Sequence, residues 1–414
     1  MQRAILESLQ HFPAVLLTGA RQVGKSTLAQ SLIESTWQAK YLTLDDRLTL
    51  DAALRDPDGF VGGTPTPAVI DEVQRAPDLF RAIKKEIDRH RKAGQYLLTG
   101  SANIMTLSTV SESLAGRVAL HTLHPLCWPE LLGKSPPSIL TDLFQAPHSK
   151  ELLKRLHKAP KSDYRTRVIE RILSGGYPPA ALMGSDRARE QWFSAYRQTY
   201  LERDLLNIKS IENLPDFHRL LQLAAFRTGR LLNLSDFSRE VGLPFTTLRR
   251  YMNLLEVTYQ IFLLRPYFVH GGKRLVKTPK IYFGDTGMAS SLMAVDDWSI
   301  LEKQGQAGAL VETWVASELL KLMPVSDHRL QLYFWRTQGG REVDFILERG
   351  RELVAIEVKW GQRINESDLS NLRHCEEELK DKLRFSIILY NGTETVSFSP
   401  RIIAIPFPVF FGIE

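Results

Sequence analysis

Between positions 19 and 27 the chain reads Gly19, Ala20, Arg21, Gln22, Val23, Gly24, Lys25, Ser26, Thr27. Two glycines five residues apart, followed at once by lysine and serine, fill every fixed position of a phosphate-cradling loop. Glycine at both positions lets the backbone turn so that successive N–H groups face phosphate oxygens, and a helix beginning there adds positive potential at its first turn. In that frame Lys25 reaches the β- and γ-phosphates and Ser26 ligates Mg²⁺, so residues 19–27 are the candidate ATP contacts. A plain strand-ending glycine turn would not require Lys-Ser after the second glycine.

Binding alone needs no acid, but hydrolysis needs a carboxylate to hold the metal and another to activate water. Asp71 and Glu72 follow the apolar run Ala68, Val69, Ile70, which puts both at a strand end. Asp71 is expected in the Mg²⁺ shell, and Glu72 is expected to activate or position the attacking water. Ser101 ends a third apolar run and is a candidate γ-phosphate or water sensor. Arg117 is a candidate transition-state cation, from the same or a neighbouring subunit.

A second constellation lies near the carboxyl end. In "GREVDFILERGRELVAIEVKWG" two alternating runs are joined by a turn at "ERGRE". Period-two geometry puts Glu357 and Lys359 on one sheet face, and the hairpin brings Asp344 beside them. Two carboxylates and a lysine suit a metal-dependent phosphodiesterase: Asp344 and Glu357 as Mg²⁺ ligands, Lys359 on the water. Glu312, on the preceding helix, is a further acidic candidate. The set resembles the Asp…Glu-x-Lys core of restriction-endonuclease-like folds. An active nuclease and a scaffold that keeps only the fold both stay open.

The elements that must position these residues alternate at first. Val15–Leu17, Ala68–Ile70 and "QYLLTG" read as buried strands. Between the last two, "DLFRAIKKEIDRHRKAG" repeats Leu79, Phe80, Ile83 and Ile87 at helical spacing, which predicts a parallel sheet covered on both faces. From about Pro125 the strands stop and helical patterns predict a lid and linker, with Glu202, Arg203 and Asp204 as an ion-pair cluster or nucleotide sensor. Over residues 231–270, Phe237 and Val241 precede a turn at Gly242. A second helix follows Pro244, with Thr246 or Thr247 as its cap. "IFLLRPYFVHGGKRLV" then suggests a hairpin turning at Gly271 and Gly272, so the unit reads as a winged helix. Arg249, Arg250, Lys273 and Arg274 are its candidate phosphate contacts, although Phe245 and Leu248 are apolar and no Asn or Gln begins the helix.

"LLTGARQVGKSTL", "VIDEVQRAPDLF", "LLTGSAN", "SLAGRV", "YLERDLL" and "PKIYFGDTGM" together resemble the prokaryotic AAA-type ATPases that carry a C-terminal domain of unknown function with a nuclease-like fold. The resemblance runs in order along nearly the whole chain and implies an ATPase core. The fold class expected is α/β: an AAA-type P-loop NTPase parallel sheet over 1–124, a helical lid over 125–215, a winged-helix domain over 216–285, and an α/β restriction-endonuclease-like domain over 286–414.

The bulk numbers fit several domains. The chain has 414 residues, of which 43% are hydrophobic and 24% charged. That length exceeds what one core organises. No run of about 20 apolar residues and no apolar signal core is present, so a cytoplasmic location and no membrane partner are expected. Cys127 and Cys375 stand far apart outside any CxxC pattern, which excludes zinc ribbons and disulfide frameworks. The formal charge is +6, but residues 161–280 hold 20 Lys and Arg against 11 Asp and Glu. That basic middle suits DNA as a partner, with a solvated helical surface or a protein partner as alternatives; oligomerisation stays open.

Overall fold

The structure is a computed structural model that describes residues 1–101, 116–156, 164–199, 213–268, 278–295 and 297–413. The chain forms two compact units. The first comprises Met1–Pro125 together with Leu254–Gln260, and the second comprises Leu126–Asn253 and Ile261–Glu414.

The first unit is built on five parallel strands, β1 (Ala14–Thr18), β2 (Lys40–Thr43), β3 (Ala68–Asp71), β4 (Tyr96–Gly100) and β5 (Val118–Thr122), in the order β2-β3-β4-β1-β5. The three central strands are buried throughout because their residues are apolar on both faces, as a helix-covered parallel sheet requires. Alternate residues feed two cores. Ala14, Leu16, Ile70 and Leu98 meet Leu79, Phe80, Ile83 and Ile87 of helix Leu79–Arg89 on one face. Val15, Leu17, Val69 and Leu97 meet Ile5, Leu9, Ala29 and Leu32 on the other. Each large side chain removed from water this way contributes roughly 1.5–3 kcal/mol. All five strands run the same way, so their carboxyl ends form one edge, where an α/β sheet binds ligand.

The second unit begins with helices, among them Arg165–Ser174 and Asp186–Tyr196, and continues through Leu214–Phe226, Leu234–Val241 and Phe245–Val257. Gly242, in the left-handed region, ends Leu234–Val241 as expected. The next helix begins at Phe245, ahead of both threonines expected to cap it, because Pro244 supplies the first carbonyl, to Leu248 N–H. A small antiparallel sheet, β6 (Arg230–Leu231), β8 (Lys280–Phe283) and β7 (Ile261–Leu264), lies beside these helices in the chain. β7 pairs with β8, and just beyond it Pro266 bridges Phe334. Glu202, Arg203, Asp204, Gly271, Gly272, Lys273 and Arg274 lie outside the described residues.

A six-stranded mixed sheet closes the chain: β13 (Val396–Ser397), β14 (Ile402–Pro406), β12 (Leu383–Tyr390), β11 (Glu352–Lys359), β10 (Glu342–Arg349) and β9 (Leu330–Arg336), in that order. β10 and β11 form the expected hairpin, with left-handed Gly350 in its turn. Helix Ala307–Ser326 is buried along most of its length. Cys127 and Cys375 are buried and unbridged. Among the described residues no helix is long and apolar enough to cross a membrane.

Candidate functional site

The loop after β1 takes its shape from backbone that only certain residues tolerate. Gly19 has φ 150°, and a Cβ there would lie 2.2 Å from the Leu123 carbonyl oxygen, so no side chain fits. Gly24, at φ 97°, starts helix Lys25–Ser35 from the left-handed side. Lys25 is only 4% exposed, and its Nζ donates to the carbonyls of Gly19 (3.1 Å) and Ala20 (2.9 Å). Burial pulls its ammonium down to about 8. Glu72 and Asp71 oppose the fall, and Arg21 adds to it. A buried cation whose hydrogen bonds go to neutral carbonyls is poised for an anion.

Asp71, at the end of β3, is 4% exposed and accepts three hydroxyl protons. Ser26 Oγ and Tyr41 OH donate to its Oδ2, at 2.9 and 2.7 Å, and Thr99 Oγ1 donates to its Oδ1. Burial, with the bond to Asp71, holds the Tyr41 phenol well above its ordinary value. Glu72 sits in the left-handed region at φ 59°, an uncommon conformation for a non-glycine residue, and its N–H donates to Thr99 Oγ1 at 3.1 Å. Gln74 Nε2 donates both to Glu72 Oε2 and, at 2.9 Å, to Ser101 Oγ. Thus Lys25, Ser26, Asp71, Glu72 and Ser101, which the sequence places at or after the ends of three separate strands, share one edge of the sheet. Ser26 and Asp71 fit a Mg²⁺ site: their oxygens already converge from two elements, and the ion prefers such hard donors.

Arg117 does not join them. β1 pairs Ala14 with Val118 and Thr18 with Thr122, so Arg117 lies at the amino end of the sheet, about 13 Å of strand from the loop. There its guanidinium pairs with Asp88 at 2.7 Å. The expectation that it serves the phosphates of its own subunit is corrected by parallel register.

Near the carboxyl end the expected constellation does assemble, with an addition. Asp344 Oδ2 accepts from Val358 N–H at 2.8 Å, one step beyond the Phe345 and Ile356 pair. Lys359 Nζ lies 3.0 Å from Glu357 Oε1 and 3.5 Å from Asp368. Lys280, which no reading of Glu-x-Lys brings in, lies 2.8 Å from Glu312 Oε1 and 2.5 Å from Glu342 Oε1. Burial raises Asp344, Glu312 and Glu357 above the usual carboxylate range; the Asp344 charge adds to the rise at both glutamates, and the lysines oppose it. Among the described residues no group of three or more His, Cys, Asp or Glu is arranged to hold a metal ion. Lys359 lies against Glu357, and Lys280 lies beside Asp344.

Tyr41, Gln74, Thr99, Lys280, Tyr282, Glu342 and Asp368 are participants that sequence reasoning missed. The one available signal was "PKIYF", where period two sets Lys280 and Tyr282 on one strand face.

The fold and the loop define the first unit as a P-loop ATPase domain, and residues 11–132 match the AAA domain family. Residues 165–299 and 307–410 match two domains of unknown function, DUF8612 and DUF4143. The uncharacterized proteins Rv2008c of Mycobacterium tuberculosis and Mb2031c of Mycobacterium bovis are each 31% identical over 402 residues, covering 96% of this chain and 81% of theirs. The chain belongs to the family of these mycobacterial proteins. Among solved structures, the Walker-type ATPase PABY2304 of Pyrococcus abyssi aligns with a TM-score of 0.43 at 14% identity, over 70% of this chain and 94% of its own.

Proposed function

We propose that the first unit hydrolyses ATP with Mg²⁺ and that its nucleotide state is passed to the second unit. The observation that carries the hydrolytic reading is the hydrogen-bonded string Ser26, Asp71, Thr99, Glu72, Gln74, Ser101 along the carboxyl edge of the sheet. Ser26 and Asp71 would hold Mg²⁺, which when bound neutralises charge on the β- and γ-phosphates. Lys25 binds the same phosphates, Glu72 accepts the proton of the attacking water, and Ser101 fixes that water's position. Lys25→Ala should abolish binding or turnover. Glu72→Gln should keep ATP bound while slowing hydrolysis by about 10²–10⁴-fold. Unchanged turnover in both variants overturns the assignment.

The coupling reading rests on Tyr259. Residues Leu254–Gln260 cluster with the first unit while the chain on both sides belongs to the second. Tyr259 OH donates to Thr18 Oγ1 at 2.8 Å, immediately before Gly19. ATP should change amide exchange in helix Leu234–Val241, and Tyr259→Phe should diminish that change without altering ATP affinity. No nucleotide-dependent exchange in the native protein would sink the coupling.

A nucleic-acid role for the second unit is favoured by Arg249 and Arg250, exposed on helix Phe245–Val257 within the basic middle of the chain. Duplex DNA affinity should then fall with salt at a log–log slope near −0.9 per phosphate contacted, and Arg249→Glu with Arg250→Glu should flatten it. Absence of affinity at low salt would make this segment a protein-docking element instead.

A further inference from the structure

Lys280 is the residue that the metal-dependent reading leaves without a purpose. It opens β8, and its side chain is 3% exposed. Its ammonium has three protons and faces three carboxylates from two other elements: Glu312 of helix Ala307–Ser326 at 2.8 Å, and Glu342 and Asp344 of β10 at 2.5 and 3.9 Å. Tyr282, two residues on and so on the same strand face, donates its hydroxyl to the same Glu312 oxygen. On the far side Lys359 holds Glu357 Oε1, while Glu357 Oε2 is buried without a hydrogen-bond partner.

A divalent cation bound by Asp344 and Glu312 would need their oxygens at about 2.0–2.6 Å. Those oxygens already converge on an ammonium that cannot retreat to water from a buried strand. Moving Lys280 aside would leave its charge unpaired in the interior, which is costly unless another anion receives it. The cluster is therefore closed by a covalently attached cation.

We propose that Lys280 is the built-in counter-cation of the Glu312, Glu342 and Asp344 pocket, so that no divalent metal binds between Asp344 and Glu312. Glu312, Glu342 and Asp344 are then positioning groups for Lys280, which joins β8 to the long helix and to β10.

The test is a Mn²⁺ titration of the full chain without nucleotide, followed by calorimetry and electron paramagnetic resonance. All proteins carry Asp71→Asn so that the ATPase site contributes nothing. With Lys280 intact, no stoichiometric Mn²⁺ binding is expected. Lys280→Met should gain one equivalent, and adding Glu312→Gln should remove it. Should Lys280→Met fail to fold by circular dichroism, Lys280→Met with Glu342→Gln removes one charge of each sign and carries the same expectation. One equivalent of Mn²⁺ bound while Lys280 is present, and lost on Glu312→Gln, overturns the proposal. So does a folded Lys280→Met or double variant that gains no Mn²⁺.

Discussion

Gln74 uses one amide nitrogen on two oxygens, those of Glu72 and Ser101, while its own Oε1 is buried without a partner. An amide held this way fixes the direction of the Glu72 carboxylate. Gln74→Leu should therefore lower kcat by about tenfold, the scale of one orienting hydrogen bond near 1.4 kcal/mol, with ATP affinity unchanged. Steady-state turnover beside equilibrium ATP titration checks the split, and a matched loss of affinity would count against it. The phosphate loop was legible in the sequence because its function depends on backbone shape, and Gly19 and Gly24 announce that shape directly. Tyr41, Thr99 and Lys280 were not, because each meets its partner from 28 to 32 positions away, through strand register or helix docking that no local pattern encodes.

At the scale of elements, the apolar runs of β1, β3 and β4 told their own story, whereas β2, reading Lys-Tyr-Leu-Thr on the sheet edge, carries no such signature. Arg117 shows the cost of reading a motif without its strand: direction and register decide which end of the sheet a residue occupies. Helices Arg165–Ser174 and Ala307–Ser326 are tied by a buried ion set that sequence could not pair, since Arg171 and Glu318 stand 147 positions apart. Glu318 also takes Lys321 and the N–H of Trp128. Arg171→Met should cost about 3–5 kcal/mol by leaving an anion short of its partner in the interior. Burial pushes the Glu318 carboxyl up, but Lys321 and Arg171 outweigh it and hold the group below its usual 4.5. The contribution is thus present above that value and fades as pH falls through the lower folded one. In urea unfolding, the stability gap between the native protein and Glu318→Gln should narrow below pH 4.5 and stay constant above it.

At the scale of the molecule, the helical, basic and Glu-x-Lys segments were readable as separate stretches, but the return of Leu254–Gln260 to the first unit was not, because a seven-residue piece carries no domain signature of its own. A protein ending at Pro125 should therefore lose the Tyr259 hydroxyl on Thr18 and unfold at lower denaturant than the same unit in the whole chain. Chemical unfolding followed by a probe in residues 1–125 would measure the difference. The same threading has a temporal consequence during synthesis. Domains ordinarily fold in the order in which they are made. Here the amino-terminal sheet is translated first yet waits, across more than a hundred further residues of loop closure, for the segment that finishes it. In nascent chains halted at successive lengths, full protease resistance of residues 1–125 should arrive only after Gln260 has emerged, so the ATPase becomes complete when most of the second unit's helices have already been made.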